Sequence, residues 1–151
     1  MEVTRESRAA VRVPWLAARF AGALSLLAVG AVHLQQYEYL YSSIPTIGRL
    51  FLLNFVGATA IGIGLLAPVE RLSDRRGAAV VAVLALGGIA LAATAFASLL
   101  VAERTPLFGF QEPGYDPPAL MASRVAELVT VGLLGSFLVA RWTGRGSSGR
   151  W

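Results

Sequence analysis

The stretch Ala78–Val101, AAVVAVLALGGIALAATAFASLLV, carries no charged residue and no proline. A helix needs roughly 20 apolar residues to cross a hydrocarbon core of about 30 Å, and this stretch is longer than that. Three further stretches read the same way, near Trp15–Gln35, Ile47–Ala67 and Leu120–Ala140. The breaks between them are chemically clear. Pro45 precedes the second stretch and Pro68 follows it, and Arg71, Asp74, Arg75, Arg76 and Gly77 separate it from the third. A Pro/Gly-rich segment, Thr105 to Pro118, separates the third from the fourth. Asp116 before Pro117 and Pro118 suits a helix start, a capping carboxylate ahead of residues that need donate no hydrogen bond. The predicted fold is all-α: a four-helix transmembrane bundle, up-down-up-down. Its single domain is residues 15–141, between a basic tail at 1–14 and another at 142–151.

Composition agrees. Of the 151 residues, 56% are hydrophobic and 15% charged, and the mean hydropathy is +0.63. A soluble domain of this size needs more charge to cover its surface. No cysteine is present, so disulfides, lipidation and thiolate metal sites are excluded. The single histidine excludes a multi-histidine metal site within one chain. The net charge of +4 comes from arginine alone, scattered between apolar blocks rather than gathered in a patch, so nucleic acid is not the expected partner. The bilayer is.

Arginine placement gives an orientation. Arg5, Arg8 and Arg12 lie in the N-terminal tail, Arg71, Arg75 and Arg76 in the second loop, and Arg141, Arg145 and Arg150 at the C-terminal end. The first loop, Gln36–Thr46, has no basic residue and the third has only Arg104. Both termini are expected on the cytoplasmic side of a bacterial inner membrane. The first stretch is expected to stay as a span: it is longer than a signal peptide's apolar region, and no A-x-A site follows.

Helix association in lipid depends on small residues and interhelical hydrogen bonds. Ala58/Gly62, Ala60/Gly64, Gly87–Gly88, Ala93/Ala97, Thr94/Ser98 and Gly132/Ser136 are the candidate close-packing positions. The same positions would equally serve a homodimer or a partner membrane subunit. With no internal or inverted repeat, a transporter is the weakest reading.

Polar groups within spans are costly and mark candidate sites. At 1.5 Å rise per residue, His33 and Arg49 lie roughly 12 Å outward of the bilayer centre. Asn54 and Glu127 lie about 5 Å out, and Ser123 and Arg124 roughly 9–11 Å out. Thr94 and Ser98 add weaker polar groups in the outer half of the third stretch. His33 shares a stripe with Arg19, Gly22, Leu26 and Val29, which turns it into the bundle. Arg124 and Glu127 stand three apart and can pair; an unpaired carboxylate there would have to carry a proton.

The ligand-binding set is therefore His33, Arg49, Asn54, Arg124 and Glu127, with no catalytic and no metal set. Each residue also has a plain alternative. Arg49 and Arg124 could snorkel to the interface, and Arg19 to phosphate at the inner end. Asn54 and His33 could be interhelical glue, and an Arg–Glu pair a structural lock. Tyr37, Glu38, Tyr39 and Tyr41 suit an aromatic belt. Phe110, Gln111, Glu112 and Tyr115, in a connection long for a bundle, could form a lid over the polar layer.

The run Gly30-Ala31-Val32-His33-Leu34, with Tyr37, Tyr41, Ile44-Pro45-Thr46-Ile47-Gly48 and Leu50-Phe51-Leu52-Leu53-Asn54, resembles a group of small uncharacterised four-helix membrane proteins of high-GC bacteria. Leu107-Phe108-Gly109-Phe110-Gln111-Glu112 and Glu127 add to that likeness, as does Arg in place of Lys throughout. More distantly, the architecture is similar to DoxX-like proteins, which implies a quinone- or haem-linked redox component as a second reading. There His33 would contact a quinone carbonyl or ligate haem iron while Glu127 handles a proton. The first reading remains a non-enzymatic accessory subunit whose outer pocket binds a ligand or partner. The third is a proton-coupled transporter using Glu127 and Arg124.

Overall fold

Four helices form where the apolar blocks lie, and their ends follow the prolines and glycines. A computed structural model describes the backbone of residues 3–69, 74–114 and 116–146, and the side chains of 15–69, 76–114 and 116–143. The helices are α1 (Val3–Gln36), α2 (Pro45–Leu66), α3 (Asp74–Ala102) and α4 (Pro117–Gly146). Four segments are long and apolar enough to cross a membrane: Trp15–Tyr41, which runs past the end of α1, Pro45–Leu66, Arg76–Ala102 and Pro117–Thr143. The protein is an all-α four-helix bundle. At the ends that carry the termini, α1 and α4 run on into the basic tails, α1 passing through Pro14 and α4 ending at Gly146.

The first connection differs from expectation. Residues Tyr37–Tyr41 continue α1 as a π-helical turn, with the Ser42 amide donating to the Tyr37 carbonyl at 2.9 Å. One extra residue per turn rotates the chain about the helix axis, and Tyr41 lies buried at the end of the turn. Ile44 is extended, as a residue before proline must be, and Pro45 occupies the first turn of α2. Ala67 is extended ahead of Pro68 and ends that helix.

Consecutive helices pack side by side, and α4 returns to α1 to close a ring. Arg19 meets Leu65 at one end of α1 and His33 meets Phe51 near the other, so α1 and α2 run antiparallel. Trp15–Phe137 and Gln36–Asp116 set the same sense for α1 and α4. Ala78–Arg141 and Glu103–Arg124 do so for α3 and α4. Of the neighbouring pairs, α2 and α3 have the slimmest contact.

The core lies toward the end that carries the termini. Leu26, Leu65, Val81, Leu134 and Phe137 fill it, between the small faces of Ala23, Ala58 and Ala85. Glycine lets the backbones approach. A Cβ at Gly62 would lie 2.7 Å from Leu27, and one at Gly22 would lie 2.6 Å from Leu134. Ser25 ties α1 to α4, donating to the Ala126 carbonyl (2.9 Å) and accepting from Thr130 (3.0 Å). Several of the expected packing positions fall elsewhere: Ala60 on α2, Ala93 and Ala97 on α3, and Gly132 and Ser136 on α4 are exposed, with nothing within 4 Å of a Cβ at Gly132.

Arg19 is also placed differently from expectation. It is buried and donates to the Leu65 and Ala67 carbonyls at 2.7 Å each. The last carbonyls of α2 have no intrahelical partner, and a cation suits that negative end of the helix dipole better than lipid phosphate does.

Candidate functional site

Toward the opposite end the bundle is hollow. The residues facing one another there are small, among them Ala95, Ser98 and Ala102 on α3 and Ala119 and Ser123 on α4, and they leave a cavity of about 280 Å³. That is near the lower end of small-molecule sites, roughly 300–1,000 Å³. The walls are mostly apolar and aromatic. Into them project the polar groups of four elements: His33 from α1, Asn54 from α2, Thr94 and Ser98 from α3, and Ser123 and Glu127 from α4.

Three of the five proposed ligand-binding residues come together here. His33 is buried, and its Nδ1 lies 2.8 Å from the Val29 carbonyl. A carbonyl only accepts, so Nδ1 carries the proton, and in the neutral ring Nε2 keeps its lone pair. A quinone carbonyl needs a donor, and the Nδ1 proton is already given to Val29. Glu127 is 1% exposed; its Oε1 accepts from Ser123 at 2.9 Å, while Oε2 has no hydrogen-bond partner within the protein. Asn54 Oδ1 is likewise buried without a partner.

The two arginines do not line the cavity. Arg49 is exposed on the outer face of α2. Arg124 pairs with Glu103 at the end of α3, not with Glu127 on its own helix. Residues three apart on a helix are neighbours, but Glu127 turns inward onto the cavity while Arg124 sits beside α3. Glu103 is the residue that the sequence reading missed. It lies two residues past the third apolar block, and depth counted from the middle of each block puts it roughly 11 Å outward of Arg124, so the pair was not legible from depth.

The lid residues divide. Phe110 and Glu112 line the cavity, Gln111 points to the outside, and Tyr115 lies outside the described residues. Leu107 and Phe110 exchange backbone hydrogen bonds of 2.7 and 3.0 Å around a two-residue turn. Phe108 (φ 52°) and Gly109 (φ 80°) are both left-handed there, as a tight type I′ turn requires. The turn folds Phe110 back over the opening. The Glu112 amide donates to the Ala102 carbonyl at 2.9 Å, which ties the loop to α3.

Tyr41 is the hub of this cover. Expected in an aromatic belt, it is instead 3% exposed and donates from its hydroxyl to Glu112 Oε2. Glu112 Oε1 accepts from the Gly114 amide at 2.9 Å, so both carboxylate oxygens are engaged. The Tyr41 ring lies 4.6 Å from Phe51 and edge-on to Phe110 at 5.5 Å, and Phe51 lies 5.1 Å from His33. A continuous aromatic wall thus runs from the histidine to the loop. Tyr39, by contrast, is exposed as a belt residue would be. Gln36 completes the closure, donating to Asp116 Oδ2 at 2.9 Å while Asp116 Oδ1 caps α4 through the Ala119 amide.

Among the described residues, no group of three or more His, Asp or Glu could hold a metal ion. Comparison of the chain with family models, with curated proteins and with solved structures gives no match. The class these observations define is a bundle of four potential membrane-spanning helices, tightly packed at one end and hollow, polar-studded and capped at the other.

Proposed function

We propose that the protein is a multi-pass bacterial inner-membrane protein with both termini in the cytoplasm, and that it works as a non-enzymatic accessory subunit whose outer cavity binds a small ligand or a partner's side chain. The single observation that carries this reading is the convergence of His33, Asn54 and Glu127 on one cavity, with buried polar atoms left unpartnered. A group that served only as interhelical glue would meet its partner within the bundle. Orientation rests on nine arginines in the tails and second loop against one, Arg104, in the other loops. It places the hollow end on the outer leaflet.

The test is mass spectrometry and a visible spectrum on the protein purified in mild detergent, for wild type, His33→Ala and the cavity-filling Ser98→Leu. A small molecule enriched over bulk lipid in the wild type and depleted in both variants is the expected result. Identical extracts from all three, with all three folded, would sink the binding reading.

A further inference from the structure

The charges around the cavity are all of one sign. Among the described residues, two carboxylates, Glu112 and Glu127, line it and no arginine does. Glu112 is occupied by Tyr41 and Gly114. Beside the space, Glu127 Oε2 and Asn54 Oδ1 are buried without a partner and His33 Nε2 keeps its lone pair, while the lining hydroxyls of Thr94 and Ser98 can donate as well as accept. Asn54 Oδ1 and His33 Nε2 accept hydrogen bonds. A ligand that only accepts, such as an ether or ketone, would leave them unsatisfied and desolvated, and an anionic head would meet a carboxylate, the nearby Arg124 being paired with Glu103 outside the lining.

We propose that the cavity takes an apolar molecule whose head group donates hydrogen bonds, a hydroxyl or a protonated amine, and that this molecule enters sideways from the bilayer between α2 and α3; the proposal rests on the binding reading above. Ionised, Glu127 pairs with an ammonium; as the neutral acid it exchanges hydrogen bonds with a hydroxyl. The aromatic wall of Phe51, Tyr41 and Phe110 suits either head, through its π faces for a cation or through apolar contact for a ring. The route follows from what covers the space. The loop turn, Tyr41 and Glu112 close its end, whereas Leu53 on α2, 65% exposed, and Thr94 on α3, also exposed, both line the cavity and both face outward. They flank the slimmest helix contact in the ring.

The experiment titrates the purified protein in lipid nanodiscs with three probes of one shape: 4-butylphenol, 4-butylbenzylammonium and 4-butylanisole. The phenol or the ammonium should bind at least tenfold tighter than the anisole, which differs from the phenol by lacking the donor. Glu127→Gln, with folding verified by its unfolding midpoint, should erase a preference for the ammonium while leaving phenol binding, and Asn54→Leu should weaken both. Thr94→Trp should slow association at least tenfold, whereas Met121→Trp, on the lipid-facing side of α4, should not. Equal binding of all three probes would overturn the donor-head proposal and leave a binding cavity standing; binding of none would overturn both. An unchanged association rate in Thr94→Trp would overturn the lateral route.

Discussion

Tyr41 shows how much one hydroxyl can organise. Its ring packs between Phe51 and Phe110, and its oxygen holds a carboxylate that also orders the loop at Gly114. Tyr41→Phe keeps the ring contacts and removes the donor, leaving a buried Glu112 oxygen without its partner. The expected loss is about 1–3 kcal/mol, read as a lowered unfolding midpoint in detergent. Glu112→Gln in the Tyr41→Phe background should recover part of it, because a neutral amide is less costly to leave unpaired. A midpoint unchanged by Tyr41→Phe would mean that the cover is held by ring packing alone.

At the scale of the helix, two glycines that look alike in sequence have opposite roles. A Cβ at Gly48 would lie 2.6 Å from the Tyr41 carbonyl oxygen, a backbone atom with no freedom to swing aside. Gly48→Ala should therefore cost about 1–3 kcal/mol, the range for overpacking a tight contact. Gly132→Ala meets nothing within 4 Å and should raise stability by about 0.5–1 kcal/mol through helix propensity alone. Denaturant titration of the two variants checks both signs; a Gly132→Ala protein that loses an oligomer would instead assign that outer face to a second copy. Arginines divide in the same way. Arg19→Met removes donors from the buried end of α2 and should cost roughly 2–3 kcal/mol, as lost hydrogen bonds from a charged group do. Arg49→Met, on the exposed face, should stay within about 0.5 kcal/mol.

For the molecule as a whole, the division into a packed end and a hollow end is the main feature, and its side of the membrane can be measured directly. Since the chain has no cysteine, single cysteines can be placed without background. Tyr39→Cys and Phe108→Cys, both exposed at the hollow end, should react with a membrane-impermeant maleimide added to intact spheroplasts. Trp142→Cys, exposed near the opposite end, should react only after lysis. The reverse pattern would invert the bundle and put the cavity in the cytoplasmic leaflet, against the arginine distribution.

The sequence alone determined what varies along the membrane normal. Four apolar blocks, the prolines at Pro45, Pro68 and Pro117, and a count of 1.5 Å per residue were enough to give the helices and to bring His33, Asn54, Ser123 and Glu127 into the same half of the bundle. Depth is readable because rise per residue is a property of each helix by itself. Rotation about the helix axis is not, since the side a residue faces depends on which neighbour lies there. Only the tertiary structure decided that Arg124 would meet Glu103 rather than Glu127, that Arg49 would face outward, and that Arg19 would cap α2 instead of reaching for phosphate. The turn at Tyr37–Tyr41 is the sharpest case. One residue added to a helical turn changes depth by very little but changes direction about the axis, and Tyr41 ends as the hub of the cavity's cover. Its partners are Phe51 on the next helix and Glu112, 71 residues along the chain, and no local pattern connects that carboxylate to it.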